Sequence, residues 1–229
     1  MPCLACIFQR QVYKILRSTL SRLRFLAYND ISKKQHVKTI ARKIFPRSFF
    51  TFFRFVAYDN SMKIIAYDRQ AAVAYAKQWA FSRNPKYFDF SKLGGDCTNF
   101  ASQCLFAGAP QQNYTPDLGW FYISLENRSA AWTGVEYFYN FLINNEKGAG
   151  IGNGAGPFAI EVSKTQLRIG DFVQFGRATG DFYHTPIVVG FQGDVPLVAA
   201  HTNDAFNRPI TSYSFERIRF IHVLGARVP

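Results

Sequence analysis

The hydrophobic period of this 229-residue chain changes along its length, and the order of that change constrains the fold most. Helical spacing dominates from about Tyr67 to Asn145. From Phe172 onward the apolar residues fall into short runs separated by turn residues: Phe172–Phe175, His184–Phe191, Leu197–His201 and Ile218–Leu224. Helices followed by strands imply an α+β layer structure, with N-terminal helices packed on an antiparallel meander. Hydrophobic residues make up 48% of the chain, and aromatic ones 17%, which is ample for a packed core.

The first core helix should run from about Tyr67 to Phe81, with Asp68 as its N-cap and Asn84-Pro85 as its stop. Thr133-Gly134-Val135-Glu136 has the form of a capping box, which predicts a helix from Val135 to about Asn145. Between these lie Tyr87 and Phe88, then Trp120-Phe121-Tyr122 and Trp132. Their rings could wall a cleft or groove, although loop aromatics more often anchor a loop to the core. The glycine-rich stretch from Gly148 to Gly156 lacks a preceding strand and a clear following helix. It reads as a loop over the active site, not as a phosphate cradle.

The net charge of +12 would suggest nucleic acid if it were spread evenly, and it is not. Twelve of the 27 Lys and Arg residues precede Met62, accompanied there only by Asp30 and Asp59, so 15 basic and 13 acidic residues remain for the rest. No nucleic-acid partner is expected. Residues 1–61 read as a basic extension and 62–229 as the domain proper. The composition shift also fits a translation start at Met62. A run from Gln9 to Tyr28 could form a basic amphipathic helix that contacts an anionic membrane surface, but a solvated extension fits better. No apolar run reaches eighteen residues, and the Phe-rich cluster at Ser48–Ala57 is too far from the terminus for a cleaved signal peptide. Cys3 and Cys6 form a lone C-x-x-C, while Cys97 and Cys104 have another spacing. Neither a metal site nor a cofactor is expected.

Chemistry concentrates at Gly94-Gly95-Asp96-Cys97-Thr98-Asn99-Phe100-Ala101-Ser102-Gln103-Cys104. Paired glycines permit a sharp turn near another surface, and Asp96 or Thr98 can satisfy the free amides of the helix that follows. Phe100, Ala101, Cys104, Leu105 and Ala107 continue at helical spacing until Gly108 and Pro110 stop the run. Cys97 would sit in the first turn, where the helix dipole favours a thiolate and unpaired amides could hold an oxyanion. A small buried hydrophobe would fit the same position, and Cys104, two turns deeper, should be core.

A cysteine nucleophile needs a base, and histidine suits that role. His36 lies in the basic extension and His222 in a terminal apolar strand, leaving His184 and His201. In an antiparallel hairpin, paired residue numbers have a constant sum. His184 faces His201 if the turn is Gln192-Gly193, and Asn203 if it is Gly193-Asp194. Either residue could orient the His184 ring.

The motifs YDRQAAVAYAKQWA, GGDCTNFASQCL, W-F-Y, LRIGDFVQF, HTPIVV and AAHTND, in that order, resemble the bacterial putative amidase domain family. That family is grouped with the NlpC-like and CHAP-like cysteine hydrolases of papain-like fold. The resemblance spans about Ala66 to Gly225 and implies a papain-like core. It carries three roles onto this chain: Cys97 as nucleophile, His184 as base and His201 as its orienter. It implies cleavage of an amide bond, with a peptide or peptidoglycan-like substrate as partner. The same Cys-His pair could serve acyl transfer instead, whereas a non-catalytic cell-wall-binding module would use the aromatic loops as its groove and not need Cys97.

Overall fold

The computed structural model describes residues 62–148 and 150–229, so the expectations made for residues 1–61, the membrane-binding helix and Cys3/Cys6 among them, lie outside the described residues. The fold is α+β, with an antiparallel, curled sheet. A short strand, β1 (Lys63–Ile65), leads into helix α1 (Arg69–Trp79). Asp68 caps α1 as its sequence position predicts, its carboxylate accepting from the Ala71 amide at 2.9 Å. The small residues Ala72 and Ala76 face inward against the next helix, α2 (Cys97–Gly108). The two are joined where the Asp68 amide donates to the Gly108 carbonyl at 2.9 Å. A Cβ on Gly108 would stand 2.4 Å from the Tyr67 ring, which is why glycine ends α2.

Helix α2 is the axis of the domain, because every residue from Cys97 to Leu105 is buried. An amphipathic helix would turn its polar residues to water. Here they are buried and paired instead. The Trp132 indole N–H donates to Asn99 Oδ1 (2.9 Å), the Trp120 indole N–H to Ser102 Oγ (3.0 Å), and the Tyr75 hydroxyl to Gln103 Oε1 (2.7 Å). Buried polar groups persist only when satisfied in this way. Trp120 and Trp132 are fully buried with ring centroids 4.8 Å apart, and Tyr87 stacks on Trp132 at 5.7 Å. These aromatics anchor the loops to the core.

Helices α3 (Ala130–Thr133) and α4 (Val135–Glu146) follow. The capping box predicted at Thr133 does not form. Gly134 is the N-cap, and the Glu136 carboxylate instead accepts from the Phe182 amide (3.1 Å) and Arg219 Nη2 (3.0 Å). Next come β2 (Gly156–Val162), β3 (Phe172–Gly176), β4 (Phe182–His184), β5 (Ile187–Gln192), β6 (Val195–Ala200), β7 (Ala205–Pro209) and β8 (Arg217–Val228). The sheet order is β1-β8-β3-β5-β6-β7, with β2 paired to β8 and β4 to β3, all antiparallel. Strand alternation sends Phe172, Ile187 and Ala199 into the core shared with the helices, and Val173, Val188 and Val198 into a second core on the opposite face. Strands buried on both faces read as continuous apolar runs, which is how they stand in the sequence.

The candidate active site

The turn before α2 is built as the glycine pair suggests. Gly94 and Gly95 have φ of +95° and +114°, in the region that favours glycine, and a Cβ on Gly95 would stand 3.2 Å from Thr202 Oγ1. Thr202 and Asn203 also have positive φ, 62° and 69°, a strained conformation for a β-branched residue above all. The two turns are locked together by the Asp96 amide, which donates to Thr202 Oγ1 at 2.8 Å.

This brings Cys97, at the head of α2, against the end of β4. Cys97 Sγ lies 4.0 Å from the Tyr183 carbonyl oxygen, and Thr98 Oγ1 donates to Thr185 Oγ1 at 3.3 Å. The Thr185 hydroxyl is held in turn by Gln174 Nε2 (3.0 Å), Gln174 Oε1 accepts from Arg219 Nε (2.7 Å), and Arg219 reaches Glu136. A chain of polar contacts from α4 across β8 and β3 thus fixes β4 against α2. Cys97 and His184 line one open cleft of about 440 Å³, together with Tyr183, Asn203, Arg208 and Tyr213. Both are largely buried, each 7% exposed.

Their protonation is set by that burial. Desolvation raises the Cys97 pKa, outweighing the Thr185 backbone N–H and the Thr98 hydroxyl and N–H that favour the thiolate. The helix terminus therefore does not leave a standing thiolate. His184 moves the other way, pulled down to about 4 by burial and then by the Arg208 charge. At rest the thiol and the imidazole across the cleft are both neutral, the His184 ring packs on Phe175 and Tyr213, and no hydrogen bond joins it to Cys97 Sγ.

His201 does not hydrogen bond to His184. Its Nδ1 meets Asp96 Oδ2 at 2.5 Å, its Nε2 meets the Trp79 carbonyl at 2.8 Å, and its ring stacks on Phe100 with centroids 4.0 Å apart. The hairpin arithmetic fails for two reasons. Pro186, which lacks an N–H, separates β4 from β5, so His184 pairs with Phe175 of β3 and not with β6. In the β5–β6 hairpin the turn is Gly193-Asp194, but a bulge between Val188 and Gly190 shifts the register, and β6 ends at Ala200 before His201.

The sequence between residues 66 and 224 matches the family model described as a putative amidase domain. The chain belongs to that family. It is also 37% identical over 143 residues to the uncharacterized protein YhbB of Bacillus subtilis (strain 168), a match covering 61% of this chain and 42% of that protein. The chain thus spans under half the length of this curated relative. No solved structure matches. Membership of the family suggests amide hydrolysis.

Within the amidase domain, Asp96 is the residue whose importance sequence reasoning missed. The sequence offers it or Thr98 as the group that satisfies the free amides of α2, yet the Asp96 side chain makes no capping bond. Its Oδ1 accepts from the Phe90 amide (2.9 Å) and Asn99 Nδ2 (2.8 Å), its Oδ2 faces His201, and Arg83 Nε stands 3.7 Å away. Arg83 also clamps Asp204 through two contacts of 2.9 Å. The backbone on both sides of the cleft hangs on this cluster.

His222 sits outside the cleft, its Nδ1 2.7 Å from the buried Asp171. The described glycine-rich residues 150–156 do not line the cleft either. Asn113 Nδ2 ties that loop down through the Ile151 and Ala155 carbonyls, so it is no lid. Among the described residues no three His, Cys, Asp or Glu side chains gather to hold a metal ion, and no helix is long and apolar enough to cross a membrane.

Proposed function

We propose that this domain is a thiol-dependent amidase of papain-like core that cleaves an amide bond in a peptide, with bacterial cell-wall peptides as the substrate class. The observation that carries this is the opening of Cys97 and His184 onto one cleft, the sulfur at a helix terminus and the imidazole at a strand end.

Cys97 Sγ attacks the carbonyl carbon as its proton passes to His184, forming the S–C bond and an oxyanion. The Cys97 backbone N–H, which heads α2 and has no partner within the helix, accepts that charge together with a neighbouring donor. Collapse breaks the C–N bond, and His184 returns the proton to the leaving amine. Water then attacks the thioester carbon as His184 takes its proton, the C–S bond breaks to release the carboxylic acid, and His184 returns the proton to Cys97 Sγ. Because the resting pair is neutral, the thiolate arises only during the attack.

Of the two orienters that the sequence offered, Asn203 lines the cleft with His184 and His201 does not, which favours Asn203 for that role, although neither side chain hydrogen bonds to His184. His201 acts from behind as a positioning residue, holding Asp96 and through it the Cys97 turn.

Purified protein incubated with muramidase-digested peptidoglycan should yield new amine and carboxylate ends by mass spectrometry. Those products should disappear with Cys97→Ala and with His184→Ala. Products undiminished in Cys97→Ala would exclude the thiol.

A further inference from the structure

The cleft carries one fixed cation and no anion. Arg208 is half-buried in its wall, where Nε donates to Ser212 Oγ (2.9 Å), Nη2 donates to the Ser212 carbonyl (3.1 Å), and the guanidinium lies 4.1 Å from the centre of the Tyr213 ring. Ser212 Oγ is itself anchored, donating to the Pro209 carbonyl at 2.8 Å. These contacts fix the guanidinium plane. Among the described residues Arg208 forms no salt bridge, and no Asp or Glu lines the cleft.

Five other cations of the domain are committed, Arg69 to Asp171, Arg83 to Asp204, Lys164 to Asp194, Arg177 to Asp181 and Arg219 to Glu136, and Arg208 is the cation among the residues that line the cleft. A guanidinium locked in orientation, lining the same cleft as Cys97 and unmatched by a carboxylate, suits a planar anion. We propose that Arg208 forms a substrate subsite for a carboxylate next to the scissile amide, which makes the preferred substrate an acidic or carboxyl-terminated peptide.

The charge of Arg208 reaches the reacting groups, since it contributes to the depression of the His184 pKa. A bound carboxylate would offset that charge and return proton affinity to His184, so occupancy would favour the base when substrate is present. This inference rests on the amidase reading of the same cleft.

The test compares alkylation of Cys97 by iodoacetate and iodoacetamide at pH 8.5, where His184 is neutral, and reads the site by peptide mapping. Relative to the ratio for free cysteine, Cys97 should favour iodoacetate, and Arg208→Gln should lower that preference about tenfold. Arg208→Lys should keep part of it. An unchanged ratio in both variants would overturn the subsite.

A second measurement, in Cys97→Ala protein, does not depend on the thiol. N-acetylglycine and N-acetylisoglutamine, which carry a terminal and a side-chain carboxylate, are compared with N-acetylglycinamide by thermal melting. Stabilisation by either acid, absent with the amide and lost on adding Arg208→Gln, supports the subsite and identifies the carboxylate it takes. Equal behaviour of all three compounds rejects it. Absence of alkylation by both reagents, with acid-specific stabilisation retained, would remove the amidase reading and leave the subsite standing.

Discussion

His184 and Asp96 make separate demands on pH and on substitution. The folded pKa of His184 is about 4 against 6.5 for the free side chain, so between those values the unfolded chain binds more protons than the folded one. The stability that comes from keeping the ring neutral is therefore complete above pH 6.5 and is lost as pH falls toward 4, by up to about 3 kcal/mol. Urea midpoints of the native protein and His184→Gln across pH 4 to 7.5 should differ in slope within that window and run parallel above it.

Asp96 can be tested by chemistry instead. The Trp79 carbonyl only accepts, so His201 Nε2 carries a proton, and a further proton must lie between Nδ1 and Asp96 Oδ2. An amide can supply that proton. Asp96→Asn keeps an acceptor for the Phe90 amide and a donor for His201, and should cost about 1 kcal/mol or less, whereas Asp96→Ala strips every partner and should cost about 3 kcal/mol. Chemical denaturation separates the two outcomes, and equal losses would show that the shared proton, and not the bonding pattern, matters.

At the scale of elements, α2 combines two jobs that normally conflict. It is sunk in the core, yet its first residue must be reachable from solvent. The conflict is resolved because the glycine pair lifts the chain to the surface just before Cys97, while polar residues farther along α2 bond to the indoles and phenol of neighbouring segments. Those bonds are structural. Ser102→Ala would leave the Trp120 indole N–H buried without a partner, and should lower stability by about 1–3 kcal/mol with Cys97 alkylation unchanged. A variant as stable as the native protein would show that α2 can shift to repair the loss. Helix α4 shows the same economy, since Glu136 gives up its cap to hold Arg219 and the Phe182 amide, and so supports the strand that carries His184.

Across the molecule, the helices-then-strands order, the Asp68 cap, the span of α2 and three of the four apolar strands were legible, because each depends on local periodicity or on a turn, while the run His184–Phe191 is split between β4 and β5. The strands β1, β2 and β7 were not, since short or half-polar segments become strands only when β8 or β6 offers its edge. The sequence by itself determined that Cys97 would begin a helix; it put His184 at the start of a strand, and the structure puts it at the end of the one before. Only the tertiary structure decided the company each keeps. Register after a bulge, a proline break between β4 and β5, and a buried carboxylate that outbids every other partner for His201 are products of long-range packing, and no local pattern encodes them.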